Sequence, residues 1–179
     1  MTHTVRTFLL LLPILALLSA PTFASDAPTV TPQLKLTSPA FLNAQPIPST
    51  YSCDGADLNP PLAISGVPKE AKSLVLIMDD PDAPGGVWVH WLLWNIDPAT
   101  VRIAKGSIPA GALQGLNGWQ RKGYRGPCPP PGTHHYHFRL YALKERLDLP
   151  GSANRNDLDR VMEGKILAGC ELVGIYSRK

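Results

Sequence analysis

SLVLIMDD (residues 73–80) and VWVHWLLWNI (residues 87–96) are two short apolar runs separated by a Pro-Asp-Ala-Pro-Gly-Gly turn, and their reading decides the fold. Runs of this length between turn residues read as strands buried on both faces rather than as helices. HYHFRLYAL (135–143) is a third such run, and the chain closes on another, ELVGIYS (171–177). The 19 prolines and 15 glycines are spread along the chain, as turns between many short strands would be. One helix is predicted over DLDRVMEGKIL, with Asn156 as its cap, Asp157 and Asp159 in its first turn, and Leu158, Val161, Met162 and Ile166 at helical spacing. Strands with a single late helix argue against alternating strand-helix units and for an antiparallel β architecture with appended helices.

The first 24 residues run from Arg6 through a leucine-rich stretch to Thr22-Phe23-Ala24, the charged, apolar, small order of a secretory signal peptide. Pro13 interrupts the apolar run, which also falls short of the roughly 20 residues a spanning helix needs. Cleavage is expected after Ala24, which places the mature protein outside the cytoplasm, secreted or periplasmic. Residues 25–179 then suit one domain that can bury a proper core.

Seventeen basic residues oppose 14 acidic ones, and the bases never form a run, so no nucleic-acid footprint is expected. Cys53, Cys128 and Cys170 are an odd set, which allows one internal disulfide and leaves one thiol. Of the three pairings, Cys53 with Cys128 is preferred, because both lie in loop-like segments. Cys170 reads as a buried element boundary.

Strand alternation places His90 on one face with Trp88, Leu92 and Trp94, pointing into an apolar layer or a cavity lined by one. A lone buried histidine is usually satisfied by a backbone carbonyl. His90 has company, however: the proline-rich GYRGPCPPPGTHHYHF (123–138) supplies His134, His135, Tyr136 and His137. On a strand His134 and Tyr136 share one face, and His135 and His137 the other. If the former pair and the acids after SLVLIM converge on His90, two imidazoles, a phenol and one or two carboxylates form a small pocket. There a carboxylate beside His90 is expected to orient the ring and hold its charge, so that imidazolium and phenol bind an anionic oxygen while a carboxylate left partly free receives an ammonium group.

CDGADLNPPL (53–62), DDPDAP (79–84), VHWLLWNI (89–96) and GYRGPCPPPGTHHY (123–136), in this order and spacing, resemble the phosphatidylethanolamine-binding protein family, specifically its bacterial branch of Raf kinase inhibitor-like proteins. The resemblance runs from about Leu34 to the closing LAGCELVGIYSR. It implies a mainly β fold, an antiparallel β-sandwich of a large central sheet plus a smaller sheet with a few peripheral helices, and an anion pocket at one edge of the larger sheet. The family's pocket residues fall on Asp80, His90, His134 and Tyr136, with Asp82 matching its second acid and Gly126, Pro129 and Pro130 its loop. Two departures stand out: His135 replaces the arginine of the family's His-Arg-Tyr, and the loop before His134 is short. The chain also ends soon after its last strand, without the C-terminal helix that flanks the pocket in animal relatives, which should leave the pocket more open.

The expected function is binding of a phosphorylated or otherwise anionic small ligand such as a phospholipid headgroup, with inhibition or modulation of another enzyme as an accompanying role. No cofactor, metal or catalytic residue is assigned. The rival is a small hydrolase or metal-assisted enzyme built on the same Asp/His/Tyr set. It lacks a G-x-S-x-G turn, and only Cys128, as a free thiolate, offers a nucleophile. A third reading is an interaction module, a homodimer for example, anchored by an exposed Trp119.

Overall fold

The computed structural model describes Met1 and residues 33–178; the expected leader and its cleavage point at Ala24 lie outside the described residues. Nine strands are present: β1 (Lys35–Thr37), β2 (Gln45–Pro46), β3 (Leu62–Ser65), β4 (Ser73–Asp80), β5 (Trp88–Ile96), β6 (Arg102–Ile103), β7 (Leu113–Gln114), β8 (Thr133–Leu143) and β9 (Ile166–Ser177), with helix α1 (Arg155–Met162) before the last. The large sheet runs β2-β9-β8-β4-β5-β7 and the small one β1-β3-β6. All pairings are antiparallel except that of the two-residue β2 with β9, which is parallel.

Every residue of β4 is buried, because the strand is covered on both sides. Leu74, Leu76 and Met78 meet Leu36, Leu62, Ile64 and Ile103 of the small sheet. Val75 and Ile77, alternating with them, meet Leu158 and Met162 of α1 and Leu147 of the loop before it. This is the two-sided burial expected of an unbroken apolar run.

Two bulges reshape β5. Met78 pairs with Trp91 and Asp79 with Val89, so His90 is an extra residue opposite a single step of β4. Val89 therefore packs on the helix side with Leu92 and Trp94. His90 turns the other way, toward Tyr136, whose ring is 5.2 Å from its own. Simple alternation grouped His90 with Leu92 and Trp94; the bulge corrects this and keeps only Trp88 beside it. The second irregularity lies between the Leu74–Ile96 and Leu76–Leu93 pairs, where Asn95 takes a left-handed φ of 57°. Its carboxamide accepts from the Leu147 N–H (2.8 Å) and donates to the Leu147 carbonyl (2.9 Å), which fixes the loop that leads to α1.

The helix is shorter than its apolar spacing predicted and is capped two residues earlier. Asn154, not Asn156, accepts from the backbone N–H of Asn156 and Asp157, and Asp157 returns a bond to the Asn154 N–H. Gly164, at φ +70°, reverses the chain, and Ile166 is an exposed residue of β9 rather than a helical core position. Cys170 accordingly sits within a long strand, half-buried and unbonded, while Cys53 and Cys128 form the disulfide with Cα atoms 5.4 Å apart. Among the described residues no helix is long and apolar enough to cross a membrane.

Asn95→Ala leaves the buried Leu147 N–H and carbonyl without their side-chain partner and removes the short polar side chain that makes the left-handed φ tolerable. It is expected to destabilise the fold by roughly 2–4 kcal/mol in urea unfolding. A change within a few tenths of a kcal/mol would show that the bulge is held by something other than this carboxamide.

Candidate functional site

The acids that close β4 and open the following turn each take a different partner. Asp79 points to the helix side, where its buried carboxylate accepts from Arg155 (2.7 Å) and Arg139 (3.3 Å). Asp80, one residue on, points the opposite way; its Oδ2 accepts from His134 Nδ1 at 2.7 Å and its Oδ1 from the Asp82 N–H at 2.9 Å. Asp82 accepts both the backbone N–H and Nδ1 of His135, and this bonding holds its pKa below the usual carboxylate value. Sequence reasoning passed over Asp79, although two adjacent acids at a strand end must face opposite sides of the sheet.

His90 lies 2.6 Å from the Arg125 carbonyl through Nδ1. A carbonyl can only accept, so Nδ1 carries the proton and Nε2 of the neutral ring is an acceptor. Burial lowers the pKa of His90 below the ordinary imidazole value, opposed by the Arg125 carbonyl and by the charge of Asp80. The ring is thus neutral at pH 7. The carboxylate expected to orient it instead bonds His134, and the Arg125 backbone does the orienting. Trp119 packs edge-on against His90 with centroids 5.2 Å apart, and the Arg125 guanidinium caps the Trp119 ring at 4.8 Å. Trp119 is therefore half-buried as a loop cover, not the exposed anchor of the interaction-module reading.

The Tyr136 hydroxyl is buried, with the Asp80 carboxylate and the Cys128 backbone as its polar neighbours. Burial first, then the charge of Asp80, raises its pKa, so it remains a phenol able to donate. Around these groups is a cavity of about 170 Å³. Asp80, His90, His134, Tyr136, Pro129 and Pro130 line it as expected, and Trp88, Trp119, Cys128, Ala83 and Pro84 complete the wall. Asp82 and Gly126 do not. Asp82 serves His135, whereas Gly126 lies behind the wall, where an added Cβ would come within 2.2 Å of the Tyr51 carbonyl oxygen. A larger groove of about 510 Å³ follows β1 and Cys170, but its Lys35 and Glu171 are exposed, and partial burial pushes the Cys170 thiol up to about 11.

Residues 37–177 match the family model described as phosphatidylethanolamine-binding protein. The chain belongs to that family. A UPF0098 protein of Methanothermobacter thermautotrophicus is 48% identical over 150 residues, covering 81% of this chain and 99% of its relative. A UPF0098 protein of Pyrococcus horikoshii is also 48% identical, over 82% of this chain and 77% of its own length. Among solved structures, the phosphatidylethanolamine-binding protein homologue CT736 of Chlamydia trachomatis superposes with a TM-score of 0.80 at 42% identity, covering 83% of this chain and 99% of that one. YbcL of Escherichia coli, described as a member of the mammalian family, gives 0.77 at 29% identity, covering 82% and 99%. The two-sheet sandwich with a peripheral helix is thus the family fold.

In this member of the family the disulfide ties the loop that carries Cys128, Pro129 and Pro130 to the segment around Cys53, across 75 residues of sequence. Replacing both cysteines with serine is expected to lower stability by about 2–4 kcal/mol in denaturant unfolding. Full retention of stability would mean that packing alone holds the cavity wall.

Proposed function

We propose that this protein binds a small phosphorylated or otherwise anionic ligand, of the size of a phospholipid headgroup, in the cavity between β4, β5 and β8. The convergence of the Tyr136 phenol, two imidazoles and the Asp80 carboxylate on one small cavity carries this reading, because a few polar groups aimed into a concave site are what fixes a small ligand. The cavity volume, about 170 Å³, is below the roughly 300–1,000 Å³ typical of pockets for drug-sized molecules, so it suits a headgroup rather than a whole lipid. His90 and His134 supply two further ring edges, and the Asp80 carboxylate favours a ligand that carries an ammonium group beside its phosphate.

A neutral His90 presents Nε2 as an acceptor, so a fully ionised anion binds well only if the ring takes up a proton. Binding is therefore coupled to proton uptake. The free ring titrates below the ordinary value and an adjacent anion raises its pKa, so affinity increases as pH falls through the interval between the two.

The hydrolase alternative gains no support from the arrangement. Cys128 is bonded to Cys53 and has no thiolate to offer. Modulation of another enzyme is retained as an accompanying role of the same pocket. Export, with the mature chain secreted or periplasmic, is part of the proposal and is supported by the leader pattern and the disulfide. A mature protein whose first residue is not close to Ser25 would overturn the cleavage point.

Calorimetric titration of the purified protein with O-phosphorylethanolamine and with inorganic phosphate, in buffers of different ionisation enthalpy, tests the binding. Saturable binding with net proton uptake is expected, tighter at pH 6 than at pH 8. Tyr136→Phe should weaken it about tenfold, the value of a hydrogen bond to a charged group, and His90→Ala should leave only the proton uptake of the phosphate itself. Absence of binding at millimolar ligand would overturn the proposal.

A further inference from the structure

We propose that Asp57 is a positioning residue that sets the proton affinity of His90 through one intervening peptide unit. The peptide between Arg125 and Gly126 is bonded at both ends: its carbonyl accepts from His90 Nδ1 at 2.6 Å, and its N–H donates to Asp57 Oδ1 at 2.7 Å. A carboxylate on the N–H end polarises the unit and makes the carbonyl a stronger acceptor, and a stronger acceptor favours imidazolium over imidazole. The chain is therefore Asp57 carboxylate, peptide, imidazole, cavity.

Three features hold this geometry. Asp57 sits at a φ of 53°, in the left-handed region, which turns its short side chain onto the Gly126 N–H. Gly126 has no room for a Cβ, which would lie 2.2 Å from the Tyr51 carbonyl oxygen and 2.9 Å from Asp57 Oδ1, so only glycine allows the approach. The Cys53–Cys128 disulfide and the Cys53 N–H bond to the Pro127 carbonyl, at 3.1 Å, pin the two segments side by side.

The arrangement solves a conflict in an anion site. A carboxylate in direct contact with His90 would raise its proton affinity but would add a second negative charge to a cavity that Asp80 already lines. Asp57 lies behind the wall, lining the neighbouring cavity beside Tyr124 and Trp91, and acts on the edge of the ring that faces away from the ligand. The other groups that face His90 are Asp80 from β4, His134 and Tyr136 from β8, and Arg125, whose guanidinium is 4.0 Å from Asp57 Oδ2 and tempers its charge.

Asp57→Asn preserves the hydrogen bond to Gly126 and removes the charge, which separates the relay from mere structure. In ligand-free protein followed by NMR, the His90 ring is expected to titrate roughly 0.3–1 pH unit lower in Asp57→Asn than in the wild type, with an unchanged melting temperature. An unchanged His90 titration in the folded variant would overturn the relay. A second measurement needs no variant: in the wild type the Gly126 amide resonance should move along the His90 titration curve, and a stationary amide would likewise overturn it. The inference rests on the proposed pocket only for its consequence, a two- to fivefold loss of O-phosphorylethanolamine affinity near pH 6.5 in Asp57→Asn. Failure of the wild type to bind phosphate would sink the pocket and leave the His90 shift standing. An unmoved His90 with intact binding would sink the relay alone.

Discussion

A strand buried on both faces offers no place for polar chemistry except where it ends or where its pairing is broken. β4 is such a strand, sealed by the small sheet on one side and by α1 on the other. Its first opening is its C-terminal end, where Asp79 and Asp80 emerge on opposite faces. The second is the bulge in β5 that turns His90 out of the helix-side core. The cavity lies where these two exits meet the strand that carries His134 and Tyr136, and the rest of the fold holds them in register.

The two sides of the β4 terminus do different work. On the helix side Asp79 is neutralised by Arg139 and Arg155, which anchors the start of α1 to the sheet. On the cavity side Asp80 has a single imidazole and a backbone N–H as partners, and beside it stand the Tyr136 phenol and the His90 imidazole. A fully satisfied network rigidifies its surroundings. The sheet thus separates the Asp79 charge cluster from the cavity-side groups by the thickness of one strand.

Much of this was legible in the sequence. Apolar runs marked β4 and β5, the stretch HYHFRLYAL marked β8, and motif order carried the family and most of the cavity lining. What stayed hidden is what leaves no periodic trace. A bulge adds one residue without altering composition, so nothing in VWVHWLLWNI announces that His90 and Leu92 part company. Asn154 and Asn156 are equally good caps by residue type, and only the path of the chain selects the first. The segment KILAGC has an apolar spacing compatible with either helix or strand; Gly164, at positive φ, was the available sign that the helix had ended. Asp57 was invisible because its significance lies in a contact with a backbone amide 69 positions away.

The order of the cysteines along the chain bears on how the molecule is made. Synthesis proceeds from the N-terminus, so Cys53 and Cys128 are both available before Cys170 emerges. The native bond is then the first that can form in an oxidising environment. When Cys170 arrives it enters β9, where half-burial leaves its thiol at about 11 and keeps it mostly protonated and slow to exchange. An odd cysteine count, ordinarily a source of mispairing, is rendered harmless by the sequence in which the thiols appear and by the environment of the last one.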